Sequence, residues 1–349
     1  MDTWATSSLT PQIVTGWIEN PDLFERTFPM DLRPQGHDII RTWLFSTIVR
    51  GHHEHGSAPW SNAAISGWIL DPDRKKMSKS KGNVVTPMGL LEEHGSDAVR
   101  YWAARGRPGT DTAFDPGQMK VGRRLAIKIL NASRFALGLG HAAAPAGPDA
   151  IAAPLDLAMI AQLAGLVRES TEAFDDYDYA RVLERTEAFF WGFTDDYLEL
   201  VKNRSYGAHG DASAASAQAS LRLALETLLQ LFAPFLPFVT EEVWSWWREG
   251  SVHRSSWPDT DSLEAVAAGG DANLLVVAGE VLSELRRVKS EAKRRLSTDI
   301  TEATVADTAE RIALLERVRI DVCDAGRVQH LTTEPADELA VTATLAPED

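Results

Sequence analysis

The stretch "RKKMSKSKGN" at residues 74–83 concentrates basic side chains in a chain that is otherwise acidic. It follows a short apolar run, "ISGWIL" at 65–70, and an Asp71-Pro72 turn. Ammonium groups can offset charge that develops on a leaving pyrophosphate, hydroxyls can donate hydrogen bonds, and glycine lets a ligand approach the backbone closely. The same composition is also typical of a solvated charged loop. The residues alone therefore leave a triphosphate site and a plain surface loop both open.

The rest of the chain restricts its partners. Its 349 residues carry 35 Lys and Arg against 50 Asp and Glu, a net charge of −15, which argues against a general attraction to nucleic acid. Any RNA binding must come from local basic patches. The length predicts two or three folded units.

Cysteine usage and hydropathy indicate the compartment. Cys323 is the only cysteine, and no Cys/His spacing is typical of zinc, so neither a disulfide framework nor structural zinc or another metal site is expected. No apolar run approaches the roughly 20 residues of a membrane span, and the sequence does not open like a signal peptide. We expect a cytoplasmic protein without a membrane partner.

Hydrophobic periodicity predicts an α/β region followed by helices. Residues 1 to about 115 mix strand-like runs with helical patterns and turns. A helix is predicted over 118–137, with an apolar stripe on one face and Lys120, Arg124 and Lys128 on another. The Ala-, Gly- and Pro-rich stretch at 138–154 is interpreted as a linker.

The second half predicts an antiparallel helical bundle. Its amphipathic helices are expected at 157–174, 179–203 and 221–232, with an aromatic helical hairpin at 232–250. Residues 251–273 are interpreted as a loop, 274–296 as a charged helix and 300–346 as a small helix-and-strand tail.

Two words of the sequence resemble a known family. "KMSKS" at 76–80, followed by "KGN", resembles the second signature of class I aminoacyl-tRNA synthetases, and "GHDIIRTWLF" at 36–45 resembles the Gly-x-Asp segment of that family. The resemblance implies catalytic roles for Lys76 and Lys79. It also implies an ATP site, with Mg²⁺ accompanying the nucleotide, formed by Gly36, Asp38, Lys76, Met77, Ser78, Lys79 and Ser80.

Three segments resemble the valine-specific members of the family: "DTWATSSLTP" at 2–11, "GHDIIRTWLF", and "FFWGFTDDYLELVKNR" at 189–204. This implies that Trp4 and Trp43 wall a pocket for L-valine, where bulky indoles exclude larger side chains; the alternative is that they are ordinary buried aromatics. An isoleucine- or leucine-specific relative is a further alternative.

The helical half resembles the anticodon-binding domain of the same enzymes through "FLPFVTEEVW" at 235–244 and "SSWP" at 255–258. The implied partner is tRNA(Val). Candidate phosphate contacts are Lys120, Arg124, Lys128, Arg286, Arg287 and Lys289. Glutamates on the helix at 274–296 offer intrahelical pairs, so a merely solvated helix remains an alternative there.

The run "GHHEHG" at 51–56 suggests a metal site or the "HIGH" signature, and we reject both. A zincin needs two histidines one helical turn apart with Glu beside the first, and "HIGH" belongs to the first strand-to-helix turn of the family's fold. We predict a polar loop here.

The expected fold class is the α/β distal part of a Rossmann-type class I catalytic domain (1–116), then a stem-like helix and linker (117–150), a mostly α-helical anticodon-binding bundle (151–273), and a basic helix with a small α/β tail (274–349). The "HIGH" half and the editing domain are expected to be missing, so a complementing amino-terminal half is an expected partner. The expected activity is ligation of L-valine to tRNA(Val) with ATP. A catalytically incomplete tRNA-binding module is the alternative.

Overall fold

The computed structural model describes residues 3–78, 80, 82–139 and 147–347. The described helices are α1 (Thr3–Ser7), α2 (Thr10–Val14), α3 (Pro21–Thr27), α4 (Phe45–His55), α5 (Pro87–His94), α6 (Ser96–Ala104), α7 (Pro116–Gly138), α8 (Pro154–Asp175), α9 (Tyr179–Gly192), α10 (Leu198–Ser205), α11 (Asp211–Phe232), α12 (Pro237–Ser245), α13 (Thr260–Val266), α14 (Asn273–Glu291), α15 (Ala309–Arg317) and α16 (Arg319–Gly326). The strands are β1 (Met30–Gly36), β2 (Trp60–Ser66), β3 (Ile69–Leu70), β4 (Thr112–Ala113), β5 (Ile300–Asp307), β6 (Val328–Pro335) and β7 (Ala340–Leu345). Short 3₁₀ turns lie at His37–Ile39, Pro148–Ala150 and Val252–Arg254, and π-helical turns at Ile40–Leu44 and Phe193–Tyr197.

The amino-terminal region is an α/β unit, as the sequence predicts. Strands β1 and β2 pair in parallel, with Met30 opposite Trp60 and Gly36 opposite Ser66. The 3₁₀ turn, the π turn and α4 form the crossover that a parallel pair requires. Strands β3 and β4 form a second parallel pair. Both β1 and β2 end at one edge, the edge where open α/β sheets bind ligands.

The polar loop predicted at 51–56 is wrong, because these residues lie in α4 and at its end. The helix runs to His55 and is capped by Gly56 in the left-handed conformation, φ 72°. The ring of His55 lies 5.5 Å from Trp17, 5.3 Å from Phe24 and 4.7 Å from Phe28, centroid to centroid. Packing of this one histidine on an aromatic cluster holds the polar run in a helix.

The helical bundle follows the predicted periodicity, with several differences. Helix α11 begins at Asp211, ten residues before the predicted start at 221, because its first turns are Ala- and Ser-rich and still bury Ala214 and Ala217. The helix predicted over 179–203 contains the π turn at Phe193–Tyr197. The loop predicted at 251–273 contains α13, whose first turn is capped by the Asp259 carboxylate, which accepts a hydrogen bond from the Ser262 amide at 3.2 Å.

The carboxyl-terminal tail is a mixed three-stranded sheet in the order β6-β5-β7. Strand β5 pairs in parallel with β6, joined by α15 and α16, and antiparallel with β7. Helix α14 packs against α8 on one side and against α16 and β7 on the other. Buried apolar residues from the bundle, α14 and the tail form one continuous cluster. The tail therefore shares its core with the bundle.

A buried ionic cluster fastens the tail to the bundle. The Arg204 guanidinium donates twice to the Asp156 carboxylate, at 2.7 and 2.8 Å, and once to Asp321 at 2.8 Å. Asp156 also accepts from the Tyr197 hydroxyl at 2.7 Å and from the Ser216 hydroxyl at 2.6 Å. Burial raises the pKa of Asp321, which the Arg204 charge opposes. The cluster joins α8, α10, α11 and α16.

Polar contacts also join the α/β unit to the bundle. The Asp97 carboxylate accepts from the amides of Phe238 and Val239, at 3.1 and 2.8 Å, and so caps α12 from a different unit. The Tyr101 hydroxyl donates to Glu187 at 2.7 Å, and burial raises the pKa of Tyr101 to about 12. These bonds fix the α/β unit against α9 and α12.

Two general findings concern metals and membranes. Within the described ranges, no group of three or more His, Cys, Asp or Glu side chains could hold a metal ion. No helix in the same ranges is long and apolar enough to cross a membrane.

Candidate functional site

The loop that carries the motif at 74–83, called the signature loop below, begins in a tight turn organised by Asp71. This buried carboxylate accepts from the Lys75 amide at 2.7 Å through Oδ1 and from the Asn83 side-chain amide at 2.7 Å through Oδ2. These bonds hold the pKa of Asp71 below its usual range, the Lys75 amide contributing most. At the same turn, Lys76 forms an isolated antiparallel bridge with Leu70 at the end of β3. The loop thus starts directly from a strand end.

The described part of the loop is closed by side-chain bonds. The Ser78 amide donates to Asn83 Oδ1 at 3.0 Å, and Asn83 Nδ2 lies 3.3 Å from the Lys76 carbonyl. The hydroxyls of Ser78 and Ser80 are 3.2 Å apart. Met77 is half-buried, whereas Lys76 and Ser80 are exposed. Lys79, expected to be catalytic, lies outside the described residues.

The Lys76 ammonium lies 3.3 Å from the ring centroid of Trp68. Trp68 in turn contacts the imidazole of His37, with centroids 4.4 Å apart. His37 Nδ1 lies 3.0 Å from the Ser66 carbonyl at the end of β2. This chain of contacts brings Lys76 to the strand edge where Gly36 and Asp38 lie.

Gly36 and Asp38 are adjacent at the end of β1. A Cβ added at Gly36 would lie 3.1 Å from Asp38 Oδ1, closer than side chains normally pack. Asp38 itself is exposed. A glycine at 36 therefore leaves the Asp38 carboxylate room to turn toward a ligand at the strand end.

The two tryptophans expected to line a pocket differ in burial. Trp43, in the π turn after β1, is 6% exposed. Its ring stacks against Trp60 at 6.5 Å and lies 3.9 Å from the Arg33 guanidinium, and its indole N–H donates to the Ser7 carbonyl at 3.1 Å. Trp4 belongs to α1, the same short helix as Ser7, and is 46% exposed. The structure thus puts Trp43 against the helix that carries Trp4.

Comparison with known proteins agrees with this geometry. Residues 1–115 match the model of tRNA synthetases class I (I, L, M and V), and residues 156–305 match the anticodon-binding domain of tRNA ligase. The chain belongs to the class I tRNA synthetases. Its α/β unit and its bundle thus correspond to two different domains of the proteins in that family.

Valine–tRNA ligases are similar over nearly the whole chain. The protein of Thermobifida fusca is 60% identical over 99% of this chain and 39% of its own length, and that of Salinispora tropica is 56% identical over 97% and 41%. The chain therefore spans about 40% of the length of these curated relatives.

Two solved synthetases show the fold. A leucyl-tRNA synthetase of Agrobacterium radiobacter K84, in a ternary complex with tRNA and LeuAMS, matches with a TM-score of 0.62 at 16% identity, over 98% of this chain and 42% of that one. The methionyl-tRNA synthetase of Mycobacterium tuberculosis bound by methionyl-adenylate matches with a TM-score of 0.55 at 21% identity, over 69% and 48%.

The basic residues proposed to contact RNA fall in two places in this synthetase chain. Lys120 and Arg124 are exposed on one face of α7. Lys128, one turn further, pairs with Asp195 at 2.7 Å, and Arg286 pairs with Asp196 at 3.0 Å. Burial raises the pKa of Asp196, with Arg286 opposing the shift.

A cavity of about 990 Å³ lies between the bundle and the tail, and Lys128 and Arg286 are part of its wall. Lys202 and Arg327 also line it, as do Asp195, Glu199, Asp299 and Asp324. Its wall is thus a mixture of cations and carboxylates.

Lys289 and Arg287 differ from the expectation. Lys289 is 2% exposed, and its ammonium donates to the carbonyls of Leu296 and Gly326, at 3.0 and 2.9 Å. Its burial argues against the RNA contact expected of it and gives it a structural role at the end of α14. Arg287 is exposed but paired with Glu284 and Glu291 on its own helix, the arrangement of a solvated helical face.

Sequence reasoning missed four residues at the loop and pocket: Arg33, His37, Trp68 and Asp71. His37 lies inside the quoted "GHD" word and Trp68 inside "ISGWIL", so both were within reach of the motifs. Arg33 gives no signal in the sequence, because its contact with Trp43 depends on the turn after β1.

Proposed function

We propose that the chain is part of a valine–tRNA ligase that converts ATP, L-valine and tRNA(Val) into valyl-tRNA, AMP and diphosphate in the cytoplasm. The observation that carries the proposal is the signature loop, which places Lys76 beside the strand ends at Gly36, in a chain 60% identical to such a ligase. Lys76 is exposed, and its ammonium rests on an indole face. A phosphate would attract that ammonium more strongly than the ring does.

In the proposed first step, the valine carboxylate attacks the α-phosphorus of ATP and pyrophosphate leaves. Lys76, with Lys79, offsets the charge that grows on the leaving oxygens. Met77, Ser78 and Ser80 contact the nucleotide, and Gly36 and Asp38 hold its ribose. In the second step a hydroxyl of the tRNA's terminal ribose attacks the acyl carbon of valyl-adenylate, the ester to the tRNA forms, and AMP leaves.

Mg²⁺ would enter with ATP, since it keeps to phosphate oxygens and water more than to protein cages. The buried carboxylate at the loop, Asp71, is already bonded to the Lys75 amide and to Asn83. The loop therefore does not fit a magnesium site of its own, and no step is assigned to the ion.

Trp4 and Trp43 are proposed to wall the valine side chain. Trp43 is held from several sides by Trp60, Arg33 and the Ser7 carbonyl. A wall that cannot move is what excludes a side chain one methylene larger.

We include a complementing segment in the proposal because the α/β unit exposes apolar side chains. Ile13, Val14, Ile18 and Phe45 are exposed on α2, on the turn after it and on α4. Among the residues that the structure describes, the parallel β1–β2 sheet has two strands, whereas parallel sheets are normally covered on both faces. The proposed cover is the remaining part of the class I catalytic fold, which corresponds to the amino-terminal half expected from the sequence.

A second candidate function, binding of tRNA without catalysis, is favoured by the exposed basic face of α7 and by the cavity between bundle and tail. This proposal divides the chain at residues 116, 150 and 273 into the α/β unit, the stem-like helix with its linker, the bundle, and the basic helix with its tail. The bundle and the tail share one core, so they are expected to fold and bind together.

The catalytic proposal is tested by amino-acid-dependent exchange of pyrophosphate into ATP, in the protein that carries the rest of the catalytic fold. Valine should support exchange better than isoleucine or leucine. Lys76→Ala should lower the rate about a hundredfold or more. The matched control is Lys75→Ala, since the Lys75 ammonium pairs with Asp73 at 3.8 Å. Equal losses in both variants, or exchange driven by isoleucine, would contradict the proposal.

The binding proposal is tested on the 349-residue chain by gel shift with tRNA(Val). Binding at low salt that weakens steeply as salt rises is expected, because phosphate contacts release counterions. Absence of binding at low salt would contradict the proposal that the chain binds tRNA.

A further inference from the structure

The side chain of Asn83 contacts the backbone of the signature loop at two points. Oδ1 accepts from the Ser78 amide at 3.0 Å, and Nδ2 donates to the Lys76 carbonyl at 3.3 Å. These two backbone groups flank Met77. A side-chain amide is both donor and acceptor, so one residue holds the chain on both sides of Met77.

Asp71 fixes the orientation of that amide. Its Oδ2 accepts from Asn83 Nδ2 at 2.7 Å, while Oδ1 accepts from the Lys75 amide at 2.7 Å. An Asn83 amide turned by 180° would place Oδ1 against a carboxylate, and Ser78 would lose its acceptor. Bonds to an ionised acceptor are stronger than neutral ones, and Asp71 is buried. Asp71 thus fixes the orientation of the Asn83 side chain, and Asn83 in turn holds the backbone of the loop.

We propose that Asp71 and Asn83 are positioning residues that hold the backbone on both sides of Met77 so that Lys76 is presented to the phosphates of ATP. The inference rests on the proposed function, because it assigns a role in the same reaction. Neither residue touches the nucleotide in this account. Without the pair, the loop must be ordered anew in each turnover, which raises the barrier to the chemical step and leaves the valine pocket unchanged.

Steady-state kinetics of adenylate formation test the role. Asn83→Ala should lower kcat tenfold or more, with KM for valine within twofold of the wild type. The matched control is Asp73→Asn, an exposed carboxylate in the same turn that pairs with Lys75 at 3.8 Å; its kcat should match the wild type. A kcat that falls equally in the Asp73→Asn variant would overturn the specific role of the pair.

Reversal of the pair gives a rescue test. Asn83→Asp alone puts a second carboxylate opposite Asp71, in place of the 2.7 Å hydrogen bond between the two side chains. Its kcat should be lower than that of Asn83→Ala. Addition of Asp71→Asn restores a donor opposite an acceptor, while residue 83 still accepts from Ser78 and residue 71 still accepts from Lys75. The double variant should recover at least fivefold over Asn83→Asp. No recovery would show that the bond between 71 and 83 is not what positions the loop.

Amide hydrogen exchange in the 349-residue chain separates this inference from the proposed function. Asn83→Ala should expose the Ser78 amide, and Asp71→Ala the amides of both Lys75 and Ser78, with the melting temperature unchanged. Protection that persists in these variants would overturn the clamp, whatever the enzyme does. Lost protection with an undiminished kcat would overturn the positioning role. If the wild-type protein that carries the rest of the catalytic fold lacks valine-dependent exchange, the proposed function fails, and the positioning role fails with it even when the protection pattern is as expected.

Discussion

Arg204→Met tests the ionic cluster between the bundle and the tail. Methionine keeps most of the aliphatic volume of arginine but removes the charge and the three bonds to Asp156 and Asp321. The side chains of Arg204 and Asp156 are 6% and 0% exposed. Removal of one partner from a buried ion pair costs about 3–5 kcal/mol, because the other charge stays behind without compensation. The hydroxyls of Tyr197 and Ser216 still donate to Asp156, so we expect the lower end of that range.

The assay is thermal and urea unfolding followed by circular dichroism. A loss of about 3 kcal/mol should lower the melting temperature of a unit of this size by roughly 6–12 °C. The matched control is Arg287→Met, because Arg287 is 52% exposed and pairs with Glu284 and Glu291 of its own helix. Surface pairs contribute little, so this variant should melt with the wild type. Equal stability of the two variants would refute the reasoning that the buried cluster holds the tail.

The pH dependence gives a second check on the same variant. Burial already raises the pKa of Asp321, and Arg204 acts against that shift. Without Arg204 the pKa should rise further, so the folded state binds its proton more readily than the unfolded state does. Stability then falls as pH rises through this interval. The deficit of Arg204→Met should therefore be smaller near pH 5 than near pH 8, and a deficit independent of pH would contradict the assignment.

Three further predictions concern other regions. Trp43→Ala should narrow the preference for valine over isoleucine in pyrophosphate exchange, since shape exclusion is what rejects an extra methylene; undiminished discrimination in a destabilised variant would make Trp43 an ordinary core residue. The double variant Lys120→Ala with Arg124→Ala should bind tRNA more weakly. The slope of the logarithm of its binding constant against the logarithm of salt concentration should be smaller in magnitude by about 1.5, as expected for two lost phosphate contacts. An unchanged slope would show that this face of α7 does not contact the tRNA. Burial raises the pKa of the Cys323 thiol, so a disulfide reagent at pH 8 should react more slowly with the folded protein than with the urea-unfolded one, and equal rates would contradict that burial.

The sequence predicts the elements whose signal is local. The apolar stripe of α7 appears where periodicity places it. The aromatic hairpin also forms, but its helix α12 ends at Ser245 and not near residue 250. The apolar run at 65–70 before the signature loop is divided between the end of β2 and the two-residue β3. The prediction of a loop at 51–56 is wrong because it rests on polar composition, whereas His55 packs on three aromatic rings from α3 and the residues on either side of it. Such long-range packing overrides local preference.

Two failures could have been avoided from the sequence. Lys289 continues the buried stripe of Leu282 and Leu285 at helical spacing, so its face on α14 was already that of the core. Asp259 followed by Ser262 is a helix-capping pattern, which predicts α13. By contrast, the bond between Asp71 and Asn83 spans twelve residues and depends on the shape of the turn, which no spacing rule supplies.

The cap that Asp97 places on α12 restricts how the protein can bend. A rotation of the α/β unit away from the bundle would separate a buried carboxylate from two helix amides at the same moment. Even a small displacement of α6 relative to α12 would therefore weaken both hydrogen bonds. We therefore expect α6 and α12 to move together as one rigid piece.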